Sequence, residues 1–154
     1  MALQQNVAKA VQAGSQAHLA QVAADQITGL HNEPYMGDAH KRCFRKLLVA
    51  LEQLLADRLK SGAAEIAIGS AGADPIDRAS AEEEHQTAIA ARARDAAQLI
   101  EVRAALRRLD ADEFGWCDET GDMIGIGRLL VCPTTTLCVD AQQRRENKSS
   151  RFRG

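Results

Sequence analysis

The sequence predicts a mainly α-helical protein in which a long antiparallel coiled-coil hairpin carries a small cysteine-containing module and a C-terminal helix. The hairpin is predicted by two long segments of helical apolar periodicity, separated by an interval that has lost this period. The module is predicted by two cysteines at a spacing typical of zinc ribbons. A chain of 154 residues holds about one domain with an appendage.

The composition suits packing between helices better than a thick core. The hydrophobic fraction is 45%, but alanine supplies much of it and aromatic residues make up only 3%. The net charge of −2 excludes a chain that binds nucleic acid through its overall charge. Because there is no apolar run of membrane-spanning length and no secretion-signal pattern at the start, we expect a cytoplasmic protein.

Residues 1–34 form an N-terminal segment for which two alternatives stay open. A weak helix and a disordered lead-in fit its Ala- and Gln-rich sequence equally well, and Asn32-Glu33-Pro34 ends it. Its apolar residues are scattered: Leu3, Val7, Val11, Leu19, Val22, Ile27 and Leu30.

Residues 35–113 hold the predicted hairpin, with its tip near residues 70–80. The first helix is expected over residues 38–61, where apolar residues recur at three- and four-residue steps: Phe44, Leu47, Leu48, Leu51, Leu54, Leu55 and Leu59. The second should run from Pro75 to about Asp112, roughly 55 Å at the helical rise. Its seam residues should be Ala81, His85, Ile89, Ala96, Leu99, Val102, Leu106 and Leu109.

The predicted tip has an acidic turn. Pro75 fits the first turn of a helix, Asp74 is the natural N-cap, and Asp77 adds a carboxylate at the positive end of the dipole. Alone, this pattern indicates a well-capped helix. Residues 62–84 carry six acidic residues against one basic residue, whereas 38–61 and 142–154 are basic. The hairpin should therefore have an acidic tip that can reach into a partner.

Residues 114–141 form a degenerate zinc-ribbon-like globular module. Cys117 and Thr120 are followed after seventeen residues by Cys138 and Ala141, so two of four zinc-ligand positions lack cysteine. Cys132 is a conceivable third ligand, but structural zinc requires four, and we expect no bound zinc. A Cys117–Cys138 disulfide would be opposed by cytosolic reduction. The module should fold by packing Phe114, Trp116, Met123, Ile124, Ile126, Leu129, Leu130, Val131, Leu137 and Val139, with turns at Gly115, Gly121, Gly125 and Gly127.

Residues 142–154 are expected to form a basic C-terminal helix or tail. They carry five Lys/Arg and one acidic residue. Such cations suit the negative end of a helix dipole.

Three motifs in register resemble the DksA/TraR family, over residues 35–150. With two of the four cysteines missing, the chain is similar to the cysteine-poor DksA paralogues. The motifs are the acidic-tipped hairpin, Glu113-Phe114-Gly115-Trp116-Cys117 with Ile124-Gly125-Ile126-Gly127-Arg128-Leu129, and Pro133-Thr134-Thr135-Thr136-Leu137-Cys138-Val139-Asp140.

The resemblance implies a transcription regulator whose hairpin enters the secondary channel of bacterial RNA polymerase. Asp74, Asp77 and Ala79 fall on the D-x-x-D-x-A tip motif of the family, and Arg78 lies inside it. Such a protein would modulate initiation together with the alarmone ppGpp in the stringent response. We expect a monomer that reads no DNA sequence, binds no membrane and is not an enzyme.

The expected ppGpp contacts depart from the family pattern. Arg94 matches a basic position, whereas Glu101 and Gln142 stand where lysine is expected, and Gln98 replaces an apolar contact. A carboxylate repels a polyphosphate, so we expect reduced ppGpp synergy. Arg94 itself, Arg103 or the basic tail at Arg144 and Arg145 are the residues that could compensate.

Two other functions compete with this interpretation. A transcript-cleavage factor of the GreA type shares the acidic-tipped hairpin but not the module, and a structural coiled-coil adaptor would need no carboxylates at its tip. A separate enzyme is disfavoured because the sequence shows no nucleophile–base arrangement and no phosphate-binding glycine loop.

Overall fold

Helices dominate the structure, a computed structural model that describes residues 16–30, 33–68 and 75–151, with side chains for all of these except 62–68 and 75–81. The helices in this part of the chain are α1 (Gln16–Thr28), α2 (Asp38–Ile68), α3 (Pro75–Asp110), α4 (Ile126–Val131) and α5 (Val139–Arg151). The predicted mainly α fold is confirmed, with α2 and α3 as the hairpin. No helix of the described residues is long and apolar enough to span a membrane.

Helix α1 packs against α2 and α4. It buries Leu19, Ala23 and Ile27, which recur every four residues and so lie on one face. Of the two alternatives for the N-terminal segment, the helix is therefore correct over residues 16–28. Residues 1–15 lie outside the described part of the chain.

The seam of the hairpin is built mainly from aliphatic side chains. Helix α2 buries Phe44, Leu47, Leu48, Leu51, Leu54 and Leu55, and α3 buries Leu99, Val102, Ala105 and Leu109. These positions confirm the predicted stripes at the end of the hairpin near the module. The prediction is wrong for Ile89, which is 49% exposed because the packed seam of α3 begins only at Leu99.

The end of the first hairpin helix was predicted too early. Helix α2 continues through residues 62–68, which were expected to form a loop, and ends at Ile68. Alanine and glutamate are strong helix formers, and the four of them at 63–67 that surround Ile66 outweigh the roughly 1 kcal/mol that Gly62 costs. Helix α3 begins at Pro75 as predicted and ends at Asp110, where Asp112 takes a left-handed conformation (φ 60°).

The module consists of a tight reverse turn at residues 117–122, the short helix α4, and the segment that leads from α4 into α5. Trp116 and Met123 form a single antiparallel bridge, and the Cys117 N–H donates to Asp122 O at 2.8 Å. Its buried hydrophobic residues are Phe114, Cys117, Ile124, Leu129, Leu137, Cys138 and Ala141. Four predicted core residues are instead largely exposed: Trp116, Met123, Val131 and Val139.

The predicted turn at Gly127 is also wrong, because Gly127 lies inside α4. Gly115, Gly121 and Gly125 do have positive φ angles, as turns there require. Helix α5 confirms the helical form of the basic C-terminal segment up to Arg151.

Candidate functional site

The base of the hairpin is held by charge pairs between its two helices. Lys41 Nζ lies 2.5 Å from Asp112 Oδ1, and Arg45 pairs with Asp110 at 2.6 Å. Further along, Arg103 Nε donates to Glu52 Oε1 at 2.8 Å. Residue numbers rise along α2 as they fall along α3, which confirms antiparallel packing. Each exposed pair contributes at most about 1 kcal/mol, so these pairs fix register more than stability.

The half of α3 towards the tip projects beyond the core. None of residues 82–98, all of which are described with side chains, is buried, whereas four residues from Leu99 onwards are. His85, predicted as a seam residue, is only partly buried, because the packed seam begins at Leu99. The hairpin is therefore packed at its base and exposed along its outer half.

The predicted tip residues lie mostly outside the described structure. Asp74 belongs to the interval 69–74, of which nothing is described. Asp77, Arg78 and Ala79 lie in the first turns of α3, but their side chains are outside the described set. Their predicted role stays a prediction.

Three of the four expected ppGpp positions, Arg94, Gln98 and Glu101, lie on one stripe of α3, four and three residues apart. Arg94 is exposed and pairs with no residue that the structure describes. Gln98 exchanges amide hydrogen bonds with Gln16 of α1, at 3.1 and 3.3 Å. Glu101 accepts a hydrogen bond from the Thr134 hydroxyl at 3.3 Å. Two of the three side chains on this stripe are thus already hydrogen-bonded within the protein.

The residues that could compensate are partly committed elsewhere. Arg103 is paired with Glu52, and Arg145 forms an ion pair with Glu119 of the module. The Gln142 amide donates to Glu146 at 2.7 Å. Arg144 lines an open surface groove beside Lys148 and Ser149.

Two buried thiols and one hydroxyl form the centre of the module. Cys117 and Cys138 are 4% and 8% exposed, and no disulfide joins them. The Thr120 oxygen lies 3.7 Å from Cys138 Sγ, and either atom can be the donor of this hydrogen bond. The same hydroxyl is a hydrogen-bond partner of the Cys117 sulfur. Thr120 therefore lies next to both sulfurs.

This arrangement favours a thiolate at Cys117. The Thr120 hydroxyl, helped by the backbone N–H groups of Cys138, Glu119 and Thr120, lowers the pKa of Cys117 to about 6. Desolvation by burial acts in the opposite direction and raises that pKa, but it is the smaller effect.

The donor set does not fit zinc. Ala141 is fully buried in the first turn of α5 and offers a methyl group where a fourth ligand would stand. Thr120 supplies only a neutral hydroxyl. Cys132 is exposed at the end of α4, and among the described residues no three His, Cys, Asp or Glu side chains come together as a metal site.

Contacts that the sequence did not predict attach the module to the hairpin. The Tyr35 hydroxyl donates to Gly115 O at 2.7 Å and accepts from the Gly125 N–H at 3.2 Å. The Arg108 guanidinium donates to the carbonyls of Thr134 and Thr135. These partners are separated by 26 to 90 residues, and no local pattern marks them.

The fold and the site together define a class: a helical hairpin on a zinc-ribbon-like module that keeps two of four cysteines. Comparison with known proteins agrees. Residues 112–147 match the family described as the prokaryotic dksA/traR C4-type zinc finger. A protein of Haemophilus influenzae named RNA polymerase-binding transcription factor DksA is 33% identical over 124 residues, covering 80% of this chain and 86% of its own.

Two further relatives extend the match. A protein of the same name from Caulobacter vibrioides is 34% identical over 118 residues, 76% of this chain and 83% of that one. The structure of transcription factor DksA2 from Pseudomonas aeruginosa superimposes with a TM-score of 0.73 at 35% identity, over 82% of this chain and 98% of that chain. The chain belongs to the DksA/TraR family.

Proposed function

We propose that this protein binds bacterial RNA polymerase through the secondary channel and modulates transcription initiation. The observation that carries the proposal is the match to proteins named RNA polymerase-binding transcription factor DksA over most of both chains. These relatives are named as transcription factors, and we assign this chain no catalytic activity of its own.

The hairpin has the mechanical properties that insertion requires. Helix α3 is 36 residues long, about 54 Å at the helical rise, and its outer half is not packed into the core. The base is fixed by the seam, by the charge pairs of Lys41 and Arg45, and by contact of Phe44 with Phe114. A hairpin whose base is already ordered loses little conformational entropy when its exposed end enters a narrow channel.

Charge supports the same direction of entry. Glu82, Glu83 and Glu84 are exposed near the start of α3, and Asp74 and Asp77 precede them in the sequence. An acidic end on a rod with a basic opposite end is oriented by the field of a basic, magnesium-containing channel. We assign Asp74, Asp77, Arg78 and Ala79 as the residues that act near the polymerase active centre.

For ppGpp we propose weaker cooperation than the family pattern implies. Gln98 and Glu101 stand where an apolar residue and a lysine are expected, and both are engaged by Gln16 and Thr134. A polyphosphate would have to displace these contacts and meet the carboxylate of Glu101, leaving Arg94 as the exposed cation of the stripe.

We further propose that the protein acts in the cytoplasm as a monomer and needs no zinc. A cleavage factor of the GreA type shares the hairpin architecture, but its reaction would use tip carboxylates to cut a transcript in a stalled complex. A structural adaptor would bind without changing transcription. The two alternatives therefore differ from a regulator in what happens after binding.

Binding and channel occupancy can be tested together. Immobilised core RNA polymerase should retain the protein, and an excess of a GreA-type cleavage factor should displace it. The retained protein should alter initiation at a ribosomal RNA promoter without shortening transcripts in stalled complexes. Retention that the cleavage factor leaves unchanged would contradict entry through the secondary channel.

A further inference from the structure

Cys117 and Cys138 form a thiol pair that is built like a metal site but has too few donors for zinc. We propose that this pair is a two-coordinate site for a soft monovalent metal ion, with Cu(I) as its chemical representative. The site lies in the module, and the proposal does not depend on the proposed polymerase function.

The two cysteines lie side by side in the fold. The Asp118 N–H donates to Thr136 O at 2.9 Å, which holds the segment before Cys138 against the turn that follows Cys117. Thr120 ends the same turn, and its oxygen lies 3.7 Å from Cys138 Sγ. Both are buried, so an ion between them would be shielded from water and from competing thiols.

The number and type of donors select the metal. Thiolate is a soft ligand, and soft thiolate sites favour Cu(I) over hard or oxygen-preferring cations. Zinc needs four protein ligands in a structural site, whereas the other two positions hold the neutral Thr120 and the methyl group of Ala141. A linear ion coordinated by two sulfurs needs neither position.

The surroundings can stabilise the charge of such a complex. One monovalent cation bound by two thiolates leaves a net charge of −1 on the complex. Cys138 precedes α5, and its carbonyl accepts the first helical bond from Gln142 at 3.0 Å. The positive end of that helix therefore lies beside the second sulfur.

Binding is a ligand exchange without a redox step. Copper arrives as Cu(I) bound to a donor such as the chelator, and its bonds to that donor break as two Cu–S bonds form. Each thiol that is still protonated releases its proton to solvent. The Thr120 hydroxyl gives up its sulfur contacts and can turn to water, because Thr120 is exposed.

The test is an anaerobic titration of the full chain with Cu(I) in competition with bicinchoninate, a chromophoric Cu(I) chelator. We expect one ion per chain to be withdrawn from the chelator, and X-ray absorption at the copper edge to show two sulfur neighbours. Cys117→Ser and Cys138→Ser should lose this binding, while a Cys43→Ser/Cys132→Ser double variant keeps it. The double variant is the matched control, since it removes the other two free thiols.

Two results would overturn the proposal. One is a wild-type chain that takes no copper from the chelator. The other is binding that disappears with Cys43 and Cys132, or that shows more than two sulfurs in a copper-linked dimer. Circular dichroism checks that Cys117→Ser and Cys138→Ser fold. If either does not, the number of sulfur neighbours in the wild-type chain and the copper binding of the Cys43→Ser/Cys132→Ser variant still test the proposal.

Discussion

The oxygen of Thr120 lies 3.7 Å from the sulfur of Cys138, and the same hydroxyl lowers the pKa of the Cys117 thiol. Thr120 thus stands between two thiols at the place where a four-cysteine relative would bring them together on zinc. Hydrogen bonds of this kind are weaker than metal coordination, so the module also relies on apolar packing around Phe114, Ile124, Leu129 and Leu137.

The thiol pair makes stability depend on pH. The pKa of Cys117 is lowered to about 6 in the fold, whereas an unperturbed thiol titrates near 8.5. Its stabilising contribution is therefore complete above about pH 8.5 and is lost as the pH falls through about 6. Thermal unfolding between these pH values should show Tm rising with pH. Cys117→Ser should flatten this part of the profile; an unchanged slope would assign it to other groups.

The seam at the base of the hairpin should dominate global stability. Phe44 is fully buried against Phe114, with ring centroids 5.3 Å apart. Phe44→Ala should cost about 3–5 kcal/mol in urea unfolding, from lost burial and the cavity left behind. The matched control is Ile100→Ala on α3, where the side chain is 66% exposed and the change should stay within about 0.5 kcal/mol. Equal losses would mean that the seam is packed differently.

Alanine substitutions at two glycines distinguish the cost of backbone strain from the cost of a steric clash. Gly115 and Gly121 have φ angles of 93° and 72°, so alanine is strained at both, by about 1–2 kcal/mol. At Gly115 an added Cβ would also lie 2.7 Å from Met36 Cγ, whereas at Gly121 it meets nothing within 4 Å. Gly115→Ala should therefore destabilise by about 1–3 kcal/mol more than Gly121→Ala in chemical denaturation. Similar losses would show that Met36 moves aside freely.

The hairpin could be predicted from the sequence because leucines at helical spacing indicate which face of α2 is buried. The sequence was insufficient at residues 62–68, where the apolar period fades although alanine keeps the helix intact. In the module, the exposure of Val131 and Met123 could not be predicted from the sequence. Short irregular segments have no hydrophobic period that distinguishes buried from exposed positions.

The candidate site was predictable in part for the same physical reason. The spacing of Cys117 and Cys138 is typical of a zinc ribbon, and it predicted that both residues lie in one small module. The contacts of Gln98 with Gln16 and of Tyr35 with Gly115 join residues 82 and 80 positions apart. Such contacts depend on how α1 and the segment before α2 pack, and no single-sequence pattern encodes this.

Reversing the charge at position 101, on the α3 stripe of expected ppGpp positions, should strengthen the synergy with ppGpp. Glu101→Lys exchanges a carboxylate that accepts from Thr134 for a cation that can pair with a polyphosphate. A ppGpp titration of initiation at saturating protein should show weak synergy for the parent and a larger effect for Glu101→Lys. Glu33→Lys, at an exposed position ahead of α2, controls for the change in net charge. Full synergy in the parent, unaltered by Glu101→Lys, would mean that the alarmone is met by other residues.

The central claim is that the hairpin tip acts inside polymerase, and Asp74→Asn/Asp77→Asn tests it most directly. Asparagine keeps the capping hydrogen bonds available and removes only the two charges, so helix content should be unchanged. Affinity for core RNA polymerase and transcript yield at a ribosomal RNA promoter should be measured on the same preparation. We expect binding within about threefold of the parent, as for loss of weak contacts, with regulation lost. A variant that still regulates the promoter like the parent would contradict this account of the tip.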